Sequence, residues 1–465
     1  MKRRIIHALL PVLFAVSGSG CRDTSPLPDL SEPPDLGAAV DLRAPVRDLA
    51  GSPGDLAMAP RDLTAPPGDM PPPADLTPPP ADMPSRDDMT MPPDDMPSPG
   101  DMTMPPGDMP PSTDMPIPSG DMVTVPPDLG SADLTPASDP TEFLVVRVGD
   151  GAAALSAAAT AVFLERRKVA DGMQVGAARP LPTAVSGTNR RLTLGGTSAA
   201  EGELTRSADG KYLLLGGYDA AVGTASVGSS MSATINRVIG RLDAAGALDT
   251  STAGDFFSAN NLRGVTSTDG SALWAAGSSG IVYTTFGSTA TPRVLLGLNL
   301  RAARIFSGQL FVSSGATTNH GINQLGTGTP TTPTTATLLA GFAAQPMTSF
   351  YGFLALDRDG MAGIDVIYAA DDRAVASGGG IQRWTLSGAT FVLDGTIKKG
   401  LTAGARGLTG FVSGGKVILL VTTAESPPRV VRFTDDGTAL DMLPGQPLAT
   451  AATNTAYRGI ALAPQ

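Results

Sequence analysis

An all-β fold of the β-propeller type, with six blades and seven possible, is what the sequence predicts for residues 141–465. Three observations carry that expectation. A two-strand phrase recurs: Ala405 to Thr423 (ARGLTGFVSGGKVILLVTT), Leu262 to Gly277, Leu300 to Gly315, a looser copy from Gly202 that lacks the Arg-Gly step, and a truncated copy from Tyr457 to Pro464. Self-similarity at this scale marks radial or stacked repeats. Strand-length apolar runs are cut by Asp-Gly, Ser-Gly and Gly-Gly turns, and long amphipathic helical patterns are hard to find. The clearest unit also holds four strand candidates, at 406–412, 416–422, 429–434 and, after Asp435-Asp436-Gly437, at 438–443. Four-stranded units of this length are propeller blades with the first strand innermost.

Taken in order, the chain begins with basic Lys2, Arg3 and Arg4, then the apolar run Ile5 to Val16, too short to span a bilayer, then small residues to Gly20. Residues 1–20 therefore read as an export signal. Cys21 is the chain's one cysteine, so no intrachain disulfide is expected. In this arrangement the chain resembles a bacterial lipoprotein, in which that cysteine is acylated and becomes the new N-terminus. Gly18 stands where such proteins usually carry Leu. The resemblance implies a membrane partner, held through acyl chains on Cys21, and a place in the cell envelope, in the outer membrane or at the cell surface. The other reading is a cleaved secretory peptide that leaves a free thiol.

Residues 21–140 form a near-regular ladder of Asp followed by Leu or Met, as at Asp62, Asp69, Asp75, Asp82 and Asp88. The spacing suggests a heptad, but 30 of the chain's 42 prolines fall here, and proline removes helix hydrogen bonds. The tract also carries the acidic excess behind the chain's net charge of −11. It repels itself and lacks the apolar area to offset ordering, so a disordered stalk is expected, with a random-coil span of roughly 60 Å.

Within 141–465, blades are expected to start near Gly202, Leu262, Leu300, Tyr351 and Ala405. The copy Arg458 to Ala463 supplies one innermost strand, and the candidates 143–148, 161–166 and 173–181 supply three more. Joined, they complete a sixth blade and close the ring without an exposed sheet edge. At this point residues 141–465 resemble a group of secreted or surface-attached bacterial propeller domains of unassigned activity. The similarity runs through EFLVVRVGDGAAALS, ELTRSADGKYLLLGGYDA, GIQRWTLSG, RGLTGFVSGGKV and ATAATNTAYRGIALAP. It implies architecture and location, and it carries over no catalytic residue.

Few residues point to chemistry. His320 is the one histidine beyond the signal, in a Thr- and Gly-rich loop, and is expected to face solvent without a zinc or triad role. Asp357, Asp359 and Asp365 place three carboxylates around a Gly turn, a candidate calcium site, although the EF-hand spacing is not met. Apart from that calcium, no cofactor is implied. Asp371-Asp372-Arg373 reads as a solvated turn with local ion pairing. The recurring arginines Arg263, Arg301, Arg406 and Arg458 each stand second in their unit. They either pair with carboxylates or carbonyls of neighbouring blades, or form a positive ring at the channel mouth suited to a carboxylate or phosphate. The nearly balanced charge of 141–465 gives no argument for nucleic acid.

The leading expectation is thus a surface-anchored propeller that binds an unknown extracellular ligand or partner and is not an enzyme. The alternatives are a calcium-assisted propeller hydrolase or lactonase, which needs carboxylates converging at the channel, and an envelope spacer, which a filled channel would favour.

Overall fold

The computed structural model describes residues 139–465 apart from 346 and 362. The signal, the stalk and Cys21 lie outside the described residues. Six four-stranded antiparallel sheets follow one another. Blade 1 runs, from the axis outward, through Leu204–Arg206, Tyr212–Tyr218, Arg237–Asp243 and Leu248–Gly254. Blade 2 comprises Leu262–Ser267, Ala272–Gly277, Gly280–Thr285 and Arg293–Leu296, and blade 3 Leu300–Phe306, Gln309–Ser314, Gly321–Leu325 and Ala336–Leu338. Blade 4 is built from Phe350–Leu356, Val366–Asp371, Gly380–Ser387 and Thr390–Ile397, and blade 5 from Ala405–Ser413, Lys416–Thr423, Arg429–Asp435 and Gln446–Thr450. The innermost strands touch in a closed circuit, with blade 6 returning to blade 1.

Blade 6 is the seam. Its innermost strand Ala456–Leu462 comes from the end of the sequence, and Glu142–Val148, Val162–Lys168 and Arg179–Pro180 come from the segment that precedes blade 1. Phe143 pairs with Leu462, and Val148 with Ala456. The ring is therefore closed by backbone hydrogen bonds between strands some 300 residues apart.

One apolar cluster fills each of the six interfaces between successive blades. Successive side chains of a strand point to opposite faces. Leu213 and Leu215 accordingly join the cluster shared with blade 6, while Leu214 joins the one shared with blade 2. A strand sandwiched on both faces must be apolar at every position, which is why second strands such as Lys416–Thr423 read as unbroken apolar runs. Removing one such leucine from water stabilises the fold by about 2 kcal/mol.

Two expected strands are displaced, both at the rim. Residues 438–443 hold a 3-10 turn, Leu440–Met442, and the outermost strand of blade 5 waits until Gln446. The cause is packing: Leu440 and Leu443 turn inward into the cluster shared with blade 4. Of 173–181, Arg179–Pro180 forms the sheet's outer strand and Gln174 makes a single bridge to Arg167. The preceding turn at Gly172, with φ +75°, is pressed against Leu448, whose carbonyl oxygen is 2.2 Å from where a Cβ would sit. An additional two-stranded pair, Ala159–Thr160 with Leu194–Gly195, anchors the segment that leads into blade 1.

Candidate functional site

The arginines owe their direction to a bulge. In blades 2 to 5 the pairing of the first two strands breaks register across Leu262/Gly264, Leu300/Ala302, Phe350/Phe353 and Ala405/Leu408, and in blade 6 the break spans Arg458 and Gly459. Each break falls on the Arg-Gly step or its counterpart, Arg301-Ala302 in blade 3 and Tyr351-Gly352 in blade 4. A bulge twists the strand locally and re-aims a side chain. Here it turns the first residue toward one mouth of the channel and brings the small residue after it to the axis.

That small residue is required by crowding. A Cβ on Gly407 would lie 2.9 Å from the Arg458 carbonyl oxygen, and one on Gly459 only 2.1 Å from the Leu204 nitrogen. The equivalent position in blade 1 is Glu203: its amide donates to the Arg263 carbonyl as the Gly459 amide donates to Gly202. One carboxylate therefore reaches the axis where the other blades place Gly or Ala, and it approaches to 3.0 Å of the site a Gly352 Cβ would take. Glu203 is ion-paired there with buried Arg304 of blade 3, whose guanidinium also donates to the Thr205 hydroxyl and the Leu204 carbonyl. Burial pushes the Glu203 carboxyl up and Arg304 down, and each opposes the other's shift. The pair closes the channel at mid-height.

Above it, Arg301, Arg406 and Arg458 line one small cavity with Tyr351, Glu201 and Glu203. Arg263 belongs to the same mouth, because it stands at the same bulge, its carbonyl accepts from the Glu203 amide and its guanidinium donates to the Leu300 carbonyl next to Arg301; burial, then Arg301, lower its pKa. All four repeat arginines thus share one end of the channel. Their partners differ. Arg263 donates to Asn299 Oδ1 and the Leu300 carbonyl, both at 2.8 Å. Arg301 donates to Ser349 Oγ at 2.6 Å and lies over the Tyr351 ring, 4.3 Å from its centroid. Arg406 pairs with Asp372 at 3.2 Å. Arg458 is buried, donates to the Gly196 carbonyl at 2.8 Å, and leaves its Nε without a partner among the described residues. Burial, then Arg406, lower its pKa to about 10, so it stays charged at neutral pH at a cost.

Two carboxylates answer these four guanidiniums. Asp372 serves Arg406, and Glu201 is held by the Gly195 amide, the Tyr218 hydroxyl and Asn261. Burial first, then Glu201, raises Tyr218 well above the usual phenol range, so it remains a hydrogen-bond donor. With Glu203 neutralised by Arg304, the mouth keeps a positive excess among the described residues. Chemically, such a surface can hold a carboxylate or phosphate by charge-assisted hydrogen bonds.

The calcium candidates behave differently. Asp357, Asp359 and Asp365 lie in the hairpin after Leu356, at the opposite end of the ring. Each caps a backbone amide, of Gly360, Met361 and Arg358 respectively. In this arrangement the three carboxylates act as turn caps, and among the described residues no group of three or more His, Cys, Asp or Glu is placed to hold a metal ion. The Asp371 turn keeps the expected local ion pairing, with Arg373 donating from Nε and Nη2 to its carboxylate, but it is not solvated: Asp371 is fully buried, and Asp372 reaches Arg406. His320 is half-buried, its Nε2 against the Thr348 carbonyl. Sequence reasoning missed Glu203, Arg304, Tyr351 and Glu201. The signal for the first lies in the alignment of the copies, since Glu203 stands where the others have Gly or Ala.

The class these features define is a six-bladed β-propeller with an arginine-rich mouth. No protein-family model and no curated protein sequence matches this chain. Solved structures similar to it include a protein from Bacteroides uniformis assigned as a 6-phosphogluconolactonase, at 14% identity and TM-score 0.40 over 68% of this chain and 82% of that one. A TolB-assigned protein from Agrobacterium tumefaciens has 13% identity and TM-score 0.36 over 70% of this chain and 100% of its own. The β-propeller domain of the Trilobed protease from Pyrococcus furiosus has 12% identity and TM-score 0.30 over 66% and 94%. The propeller assignment rests on the sheet order and the closed circuit of inner strands.

Proposed function

We propose that the protein is a lipid-anchored cell-envelope protein that displays the propeller as a binding module for an extracellular, anionic partner. The observation that carries the reading is the convergence of Arg263, Arg301, Arg406 and Arg458 at one mouth, where one of the four has a carboxylate partner. The cavity beneath them is small, which suits carboxylates laid across the mouth rather than a ligand swallowed by it. A labelled hexaglutamate peptide is the probe. Arg301→Gln with Arg406→Gln should weaken its binding at least tenfold, and added salt should weaken binding to the parent protein. Absent or equal binding would overturn the recognition role.

The closed axis supports a second reading, an envelope spacer, which that negative outcome would favour. Anchoring has its own test. Mass spectrometry of the mature N-terminus is expected to find acylated Cys21; an unmodified thiol there, or unchanged membrane partitioning of Cys21→Ser, would refute the anchor.

A further inference from the structure

Below the Glu203–Arg304 pair the channel opens again, into a cavity of about 190 Å³ at the other mouth. Its walls divide by chemistry. Phe306, with the accessible edges of Ile305 and Leu354, supplies apolar surface, and Arg206, Ser207 and Thr409 supply polar groups. Arg304 roofs it but is already engaged by Glu203, Thr205 and the Leu204 carbonyl, so that pair contributes no net charge. Arg206 is in a different state. Its guanidinium makes one long hydrogen bond, 3.3 Å to the Ala463 carbonyl, and finds no carboxylate at ion-pair distance among the described residues. Burial alone lowers its pKa, with no anion working against it. Asp209, in the turn that follows Arg206, is occupied by Ser207 and Lys211.

We infer that this second mouth is a separate binding site for a small monocarboxylate with a short apolar chain. One uncompensated guanidinium calls for one negative charge. The aromatic and aliphatic walls call for a few carbon atoms behind it. The volume falls below the several hundred Å³ of drug-sized sites, which keeps the ligand small. The site is independent of the arginine-rich mouth because the buried ion pair separates them.

Butanoate and its uncharged analogue butanamide test this on the full chain, by isothermal calorimetry and ligand-observed NMR. Butanoate is expected to bind at least tenfold more tightly than butanamide. Arg206→Gln should cost at least tenfold, Arg206→Lys should recover part of the loss, and Arg301→Gln should leave the Arg206-dependent binding in place. Should Arg206→Gln not fold, Thr409→Leu, which crowds the cavity without touching the guanidinium, must produce the same loss. No butanoate binding, equal binding of amide and carboxylate, or a loss caused by Arg301→Gln instead of Arg206→Gln would each overturn the site.

Discussion

Glu203 occupies an inner-strand position that is Gly or Ala in the five other blades, and the whole axis is arranged around that exchange. Two charges taken out of water are costly, and their attraction offsets the cost only with good geometry and further hydrogen bonds. Arg304 has both, through Thr205 and the Leu204 carbonyl. Arg304→Met should therefore destabilise the domain by about 3–5 kcal/mol, because it strands a buried carboxylate. The double variant Glu203→Gln/Arg304→Met leaves no uncompensated charge and should regain at least half of that. Urea unfolding measures both, and additive losses would show that the pair is not coupled. In the sequence, the arginines stand out through repetition, whereas Glu203 shows only as the exception at a Gly or Ala position and Arg304 carries no periodic signal.

At the scale of the element, the Arg-Gly step is a bulge with two distinct demands, direction for the arginine and closeness for the glycine. The second demand varies around the ring. A Cβ at Gly459 would meet backbone at 2.1 Å, whereas one at Gly264 would meet nothing nearer than 3.4 Å. Gly459→Ala is thus expected to cost about 1–3 kcal/mol through overpacking, and Gly264→Ala to stay within about 0.5 kcal/mol of the parent. Thermal melts of the two variants decide it; equal shifts would mean that the approach at Gly459 relaxes freely. Inner and second strands were legible in the sequence because packing on both faces forces apolar runs with little freedom. The outer strands were not. Residues 438–443 and 173–181 lie at the rim, where one face meets solvent and a turn that buries Leu440 competes well with a strand that would expose it.

For the whole molecule, closure by strands from opposite ends of the sequence makes the ring cooperative. Deleting residues 456–465 removes the innermost strand of blade 6 and bares the edge of Glu142–Val148. Such an edge is a template for pairing with other chains. The truncated protein is expected to unfold or aggregate, as size-exclusion chromatography and circular dichroism would register; a monomer as stable as the parent would place the closure elsewhere. Blade starts and seam could be read from repetition, but the two mouths could not, since each is assembled from different blades at one height.

The seam also fixes how the domain would answer a mechanical pull. The polypeptide enters the ring at Glu142, beside Leu462 and Ala463, at the end of the channel away from the arginines. The strand it enters has neighbours on both sides, Ala456–Leu462 and Val162–Lys168. Tension arriving from the preceding residues would run along that strand, while its hydrogen bonds lie across it. Both ladders would be loaded together in shear instead of being peeled one bond at a time.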